Sequence, residues 1–195
     1  MMKNKETRTL SACEMRADSE SRVIDGYAVR FNEWSRDLGG FVEIIRSGAI
    51  SQELIDNSDI VMNINHDNDK MVARYTKGKG TLSLELRNEG LYFTFLAPPT
   101  QLGDELLYNV KSGNLSECSF AFTIDSENTN SERWYREDNV LKREIYNIDG
   151  LYDCSIVVHA AYPTTSCSAR SEEVKATIEE IDKAMDAIDN EINEM

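Results

Sequence analysis

The sequence is short of several residue types, and each shortage closes off a class of function. Its 195 residues include only two histidines, His66 and His159, and four cysteines, Cys13, Cys118, Cys154 and Cys167, none in a C-x-x-C pair. Histidines so far apart and cysteines so spaced do not build a zinc site, so no metal and no cofactor are expected. No lysine- or arginine-rich run interrupts a chain of 21 basic and 35 acidic residues, net charge −14. A surface that neutralises phosphates is absent from that pattern, so nucleic acid is not an expected partner. The longest apolar run falls far short of the roughly 18–20 residues that cross a bilayer, so no membrane partner is expected either. No signal-peptide pattern opens the sequence, and reduced thiols in a cytoplasm are the simpler expectation.

What is present is an ordinary globular composition, 41% hydrophobic and 29% charged. The length suits one domain with a sizeable core. Short alternating runs bounded by turn residues predict strands at Leu10–Met15, Val23–Phe31, Phe41–Ile45, Ile60–His66, Val72–Tyr75, Thr81–Leu86 and Leu91–Leu96. The run from Ile60 to Leu96 reads as an antiparallel meander with turns at Lys77–Gly80 and Asn88–Gly90. Ser47 to Asp56 predicts a brief helix with Ser47 as cap. A second helix follows Pro98-Pro99-Thr100, with Leu102, Leu106, Leu107 and Val110 as its apolar stripe and Gly113 as its stop. Strands are expected again at Ser119–Ile124, somewhere within Trp134–Ile148, and at Leu151–Ala160.

From Ser171 the pattern changes. Val174, Ile178, Ile181, Met185, Ile188 and Ile192 are spaced alternately by four and three, an a/d seam. Residues 171–195 carry nine acids against two lysines, a balance of −7. The expected organisation is an N-terminal segment over 1–21, a strand-rich domain over 22–165, and a linker with an acidic amphipathic helix over 166–195.

Histidine-based proton transfer must use His66 or His159, since the sequence has no other. His66 ends an alternating strand and begins the polar run Asn65-His66-Asp67-Asn68-Asp69. Its position fits a turn-capping histidine or a base aimed at solvent from a rigid element. Alternation puts it on the face of Ile60, Met62 and Ile64. Ser119 is expected at the mouth of a strand, with Ala121 and Thr123 on its face and Phe120, Phe122 and Ile124 on the other. It fits an ordinary strand serine or a nucleophile; Ser116 is the rival hydroxyl and Cys118 the rival thiol. Asp153 stands in the apolar run Leu151–Val158 and shares a face with Leu151, Ser155, Val157 and His159. It fits an edge-strand acid facing water, or an acid that orients a histidine. His159 could fill that third place instead.

In order along the chain, Ile24-Asp-Gly-Tyr-Ala-Val-Arg-Phe-Asn32, Asp37-Leu-Gly-Gly-Phe-Val-Glu43 and Ser47-Gly-Ala49 resemble the opening blocks of the caudovirus prohead serine proteases. Asn65-His66-Asp67, Ala73-Arg74 and Gly80-Thr-Leu82 are similar to the blocks that follow. So are Gln101-Leu-Gly103, Gly113-Asn-Leu-Ser116 with Ser119-Phe120, and Asp153-Cys-Ser-Ile-Val157 with Ala161-Tyr-Pro163. The resemblance spans residues 22–165. It implies Ser119 as nucleophile, His66 as base and Asp153 as third member, where the family more often has glutamate. The family is similar in fold to the herpesvirus assemblins, whose third member is a second histidine, which keeps His159 as the runner-up.

The fold so implied is α+β: a mainly antiparallel β-barrel flanked by helices, herpesvirus-protease-like, plus the C-terminal acidic helix. The function implied is a serine endopeptidase of capsid maturation, acting inside the assembling prohead in the host cytoplasm. Its implied partners are the major capsid protein with its scaffold region, and the protease itself through autocleavage and self-association. The alternative is a catalytically inactive head or scaffold-type protein with the same fold. Backbone amides near Ser119, or Arg170, are the expected oxyanion donors.

A lone helix of this length and charge is marginal in water, and its seam needs a partner. Deletion of residues 172–195 is expected to leave the thermal unfolding of the remaining domain unchanged and to lower its incorporation into proheads. A truncated chain that cannot fold would make the helix part of the core.

Overall fold

The computed structural model of the chain describes residues 5–10, 14–18, 20–125, 127–158 and 183. Two compact units divide it, Met1–His159 and Ala160–Met195, and of the second only residue 183 is described. Apart from residue 183, the predicted C-terminal helix and its linker lie outside the described residues, as do His159, Arg170, Cys13 and Cys167.

The elements follow in chain order as β1 (Glu6–Leu10), β2 (Arg16–Ala17), β3 (Val23–Arg30), β4 (Phe41–Ile45), α1 (Gln52–Asn57), β5 (Asp59–Ile64) and β6 (Asp67–Thr76). They continue as β7 (Lys79–Gly80), β8 (Leu82–Arg87), β9 (Gly90–Leu96), α2 (Gln101–Lys111), β10 (Leu115–Thr123), β11 (Glu132–Glu137), β12 (Val140–Ile145) and β13 (Gly150–Val158). The described chain is thus mostly β with few helices. Its strands form a six-stranded sheet β1-β10-β13-β5-β6-β7, a four-stranded sheet β2-β3-β9-β8 and a three-stranded sheet β11-β12-β4.

These are open sheets, and among the described residues no closed barrel forms. The meander expected from Ile60 to Leu96 is where closure fails. β6 and β7 stay in the large sheet, whereas β8 pairs with β9 and β9 crosses to β3. A barrel needs an unbroken circuit of ladder hydrogen bonds, which this division interrupts. The sheets are also mixed: β13 pairs in parallel with β5, and β12 in parallel with β4.

One apolar core joins the sheets. Phe120, Phe122, Cys154, Ile156, Ile60 and Met62 from the large sheet meet Ile24, Phe93 and Phe95 from the four-stranded sheet. Helix α2 adds Leu106, Leu107 and Val110, the stripe expected from its spacing. Thr100 caps its start, accepting from the Gly103 amide, and Gly113 at φ 74° ends it with a bond from its amide to the Val110 carbonyl. Helix α1 begins later than expected, with Ser51 rather than Ser47 as its cap, because the Ser51 side chain accepts from the Leu54 amide. Trp134–Ile148 contains two strands, turned back on each other by Asp138 and Asn139 at φ 51° and 63°. The first strand ends, rather than begins, at Leu10.

A buried ionic cluster locks β1 against the small sheet. Arg143 of β12 donates to Glu6 of β1 at 2.6 and 2.8 Å, to Glu43 of β4 at 2.7 Å and to Glu132 of β11 at 2.6 Å. Arg8 grips the same Glu43 through two bonds of 2.8 and 2.9 Å. Glu43 and Arg143 are almost fully buried, so each charge depends on its partners. Burial alone would raise the pKa of Glu6, but bonds and charge from Arg143, with Arg8 behind it, hold it at about 2. Its contribution to stability is therefore complete above the ordinary glutamate value of 4.5 and is lost as pH falls through about 2. Arg143→Ala is expected to destabilise the chain by about 3–5 kcal/mol in denaturant unfolding. It should also flatten the loss of stability between those two pH values, since Arg8 alone then holds Glu6.

Candidate active site

The site is built on β13, an interior strand of the large sheet. Its antiparallel partner β10 sets Ser119 opposite Ser155 and Ala121 opposite Asp153. Its parallel partner β5 sets Asn63 opposite Ser155 and Val61 opposite Asp153. Paired residues share a face, so Ser119, Ser155, Asp153 and Asn63 line one side of the sheet. The edge-strand reading of Asp153 is overturned by this position: β13 is flanked on both sides and Asp153 is buried. Ser119 lies in the middle of β10 rather than at its mouth, because the strand begins four residues earlier, at Leu115. A register shift between Ala121 and Phe122 leaves Tyr152 unpaired with β10 and moves Leu151 onto the Phe122 face. Leu151 therefore joins the core instead of sharing the Asp153 face, as an added residue in one strand dictates.

His66 reaches this face by a route that strand alternation does not describe. Strand β5 stops at Ile64, which pairs with Asp67, so Asn65 and His66 are the two central residues of a hairpin turn. Both have positive φ, 55° and 56°. This is the pattern of a type I′ turn, where asparagine and histidine are among the non-glycine residues that tolerate the left-handed region. The turn carries His66 to the Asn63 face, not the Met62 face on which alternation places it. Asn65 ties the turn to β13: its amide donates to the Ile156 carbonyl at 3.0 Å, and its Oδ1 accepts from the Val158 amide at 3.1 Å.

His66 Nε2 lies 2.7 Å from Ser119 Oγ, and His66 Nδ1 lies 2.7 Å from Asp153 Oδ1. Three residues expected from the sequence are thus brought into one chain of hydrogen bonds, hydroxyl to imidazole to carboxylate. Such an arrangement can take a proton from the hydroxyl and hold the resulting imidazolium. The other Asp153 oxygen, Oδ2, accepts from Lys5 Nζ at 2.9 Å. Burial would raise the pKa of Asp153, but its hydrogen bonds with His66 and Lys5 outweigh that and hold it below the usual aspartate value. Asp153 is therefore a carboxylate, an acceptor only.

The rivals stand apart. Ser116 is exposed near the start of β10, and Cys118 packs in the core. Ser119 is paired with Thr9 of β1 on one side and Ser155 on the other, so its own amide points into a ladder. That leaves it unsuited to stabilising an oxyanion. Three participants were not singled out from the sequence: Lys5, Ser155 and Asn63. Ser155 hydrogen-bonds to Asn63 Oδ1 at 2.5 Å and to His66 Nδ1 at 2.9 Å. A signal for both existed, since each is a polar residue in an apolar strand, and Ser155 is two residues from Asp153.

Among the described residues no group of histidine, cysteine and acidic side chains could hold a metal ion, and no helix is long and apolar enough to cross a membrane. Compared with known proteins, the chain matches a family model described as caudovirus prohead serine protease over residues 9–180. No curated protein and no solved structure matches it.

The turn yields a test. Asn65→Gly keeps a residue suited to positive φ but deletes the bond to Val158, whereas Asn65→Ala loses both. Asn65→Ala is expected to be less stable than Asn65→Gly by about 1–2 kcal/mol, the cost of left-handed backbone without glycine. Denaturant unfolding measures the difference; equal stabilities would mean that the turn is not strained.

Proposed function

The chain belongs to the caudovirus prohead serine protease family, and we propose that it is an active endopeptidase of capsid maturation with Ser119 as nucleophile, His66 as base and Asp153 as orienting acid. The observation that carries this reading is the pair of 2.7 Å contacts that join the three side chains through the imidazole of His66.

In the proposed reaction Ser119 Oγ attacks the carbonyl carbon of the scissile peptide while its proton passes to His66 Nε2. Asp153 stabilises the imidazolium through Nδ1–H and keeps the ring turned toward Ser119. The tetrahedral intermediate collapses, the C–N bond breaks, and His66 returns the proton to the leaving amine. Water then attacks the acyl-enzyme, giving its proton to His66, and Ser119 leaves with that proton restored. No metal or cofactor takes part in this scheme.

The substrates proposed are the scaffold region of the major capsid protein and the protease itself, cleaved inside the assembling prohead in the host cytoplasm. Membership of a prohead family supports a capsid protein as partner. The acidic segment over 171–195 would serve assembly or packaging and leave by self-cleavage near residues 164–171.

Co-expression with the capsid protein, followed by mass spectrometry of the products, tests the reading. Ser119→Ala is expected to abolish processing with the fold intact, and Ser116→Ala and Cys118→Ala to retain it. Full processing by the Ser119→Ala protein would end the hypothesis. Absence of processing by the unsubstituted chain in assembled proheads would favour the inactive scaffold-type protein. Asp153→Asn should be more damaging than His159→Ala; the reverse order would assign the third place to His159.

A further inference from the structure

We propose that Ser155, ordered by Asn63, is a positioning residue that fixes which nitrogen of His66 carries the proton; the inference rests on the proposed role of His66 as base. A base for Ser119 needs a bare Nε2, so the single proton of the neutral ring must sit on Nδ1. Asp153 is one group that requires this. Ser155 is a second, and its demand follows from a chain of contacts with one consistent direction.

The chain starts at Asn63, whose Nδ2 donates to Asn68 Oδ1 at 3.4 Å, leaving Asn63 Oδ1 turned toward Ser155. The separation of Ser155 Oγ and Asn63 Oδ1 is 2.5 Å. In the structure the amide oxygen of Asn63, not its nitrogen, faces the Ser155 hydroxyl. A carbonyl oxygen cannot donate, so the Ser155 proton is committed to it. The competing acceptor, Asp153 Oδ1, is farther away at 3.2 Å. Ser155 Oγ can then only accept from His66 Nδ1, 2.9 Å away. The Nδ1–H is shared between Asp153 Oδ1 and Ser155 Oγ, and both exclude the other tautomer. Asn63 and Ser155 are fully buried, so water does not compete for these bonds.

The prediction is that Ser155 holds the tautomer when the carboxylate is removed. Nitrogen-15 NMR distinguishes the two neutral tautomers, and the chain has only two histidines to assign. In a Ser119→Ala background, which removes self-cleavage, His66 is expected to be Nδ1–H at a pH where the ring is neutral. Adding Asp153→Ala, which removes the carboxylate without bringing in an amide donor, should leave most of the ring in that form. Adding Ser155→Ala to that double variant should turn it mainly to Nε2–H. So should Asn63→Ala in place of Ser155→Ala, because it frees the Ser155 proton to point at Nδ1. A tautomer ratio unmoved by either substitution would overturn the proposal. In the otherwise unsubstituted chain Ser155→Ala should slow capsid-protein processing roughly tenfold, far less than the roughly 10⁴-fold cost of losing a triad carboxylate, because Asp153 still holds the ring, and Ser155→Thr should restore it. A rate that Ser155→Thr does not restore would also count against the role. If the NMR dependence holds but the unsubstituted chain cleaves nothing, the protease reading fails and the positioning role stands.

Discussion

The pairing of β13 with two neighbours of opposite sense is the constraint on which the rest of the molecule depends. Antiparallel to β10 and parallel to β5, it fixes Ser119, Ser155 and Asn63 in one row across the sheet and Asp153 in the next. A slip of one residue in either ladder would send Asp153 and Ser155 into the core and bring Cys154 and Ile156 to the site. The core prevents that slip, because Cys154 and Ile156 are fully buried against it. Apolar packing on one face of β13 thus holds the polar geometry on the other.

The same strand bears on why a hydroxyl rather than a thiol carries the proposed chemistry. Burial pushes the Cys154 thiol far above the ordinary cysteine range, and an un-ionised thiol in an apolar setting is inert. The chemically useful side of the strand is polar and densely bonded. A carboxylate, a hydroxyl and an amide surround one imidazole, with Lys5 balancing the carboxylate from outside. The electrostatic cluster of Glu6, Arg8, Glu43, Arg143 and Glu132 then fastens β1, which brings Lys5 to that carboxylate.

Much of this was legible in the sequence where side-chain identity and local period decide the outcome. The stripe of α2, the strand of Asp153, the contrast of Phe120 and Phe122 with Ser119, and the scarcity of histidine all led to groups that do meet. What was not legible depends on geometry between distant segments. Alternation placed His66 on the wrong face because the period of a strand ends where a two-residue turn with positive φ begins. It placed Leu151 on the wrong face because a register shift in the β10–β13 ladder resets the count. The closed barrel failed because period cannot say which strand a hairpin will pair with next, and β9 chose β3. The cluster of Arg143 and its acids was not legible either, since its partners lie up to 137 residues apart in the chain. Ser155 was placed on the Asp153 face with no role of its own, because its value comes from which of its bonds can carry a proton.

The sequence separations within the site have a consequence in time. His66 and Ser119 are 53 residues apart, His66 and Asp153 are 87, and Lys5 and Asp153 are 148. Contacts of such range close large loops and make folding slow relative to a chain of local contacts. Asp153 and Ser155 belong to the last strand among the described residues, so a ribosome must deliver nearly that whole unit before the imidazole has anything to align it. A partly made chain carries the hydroxyl and the ring as isolated, unoriented groups. The fold therefore contains its own delay, with the trio assembled only after nearly all of the unit Met1–His159 has been made.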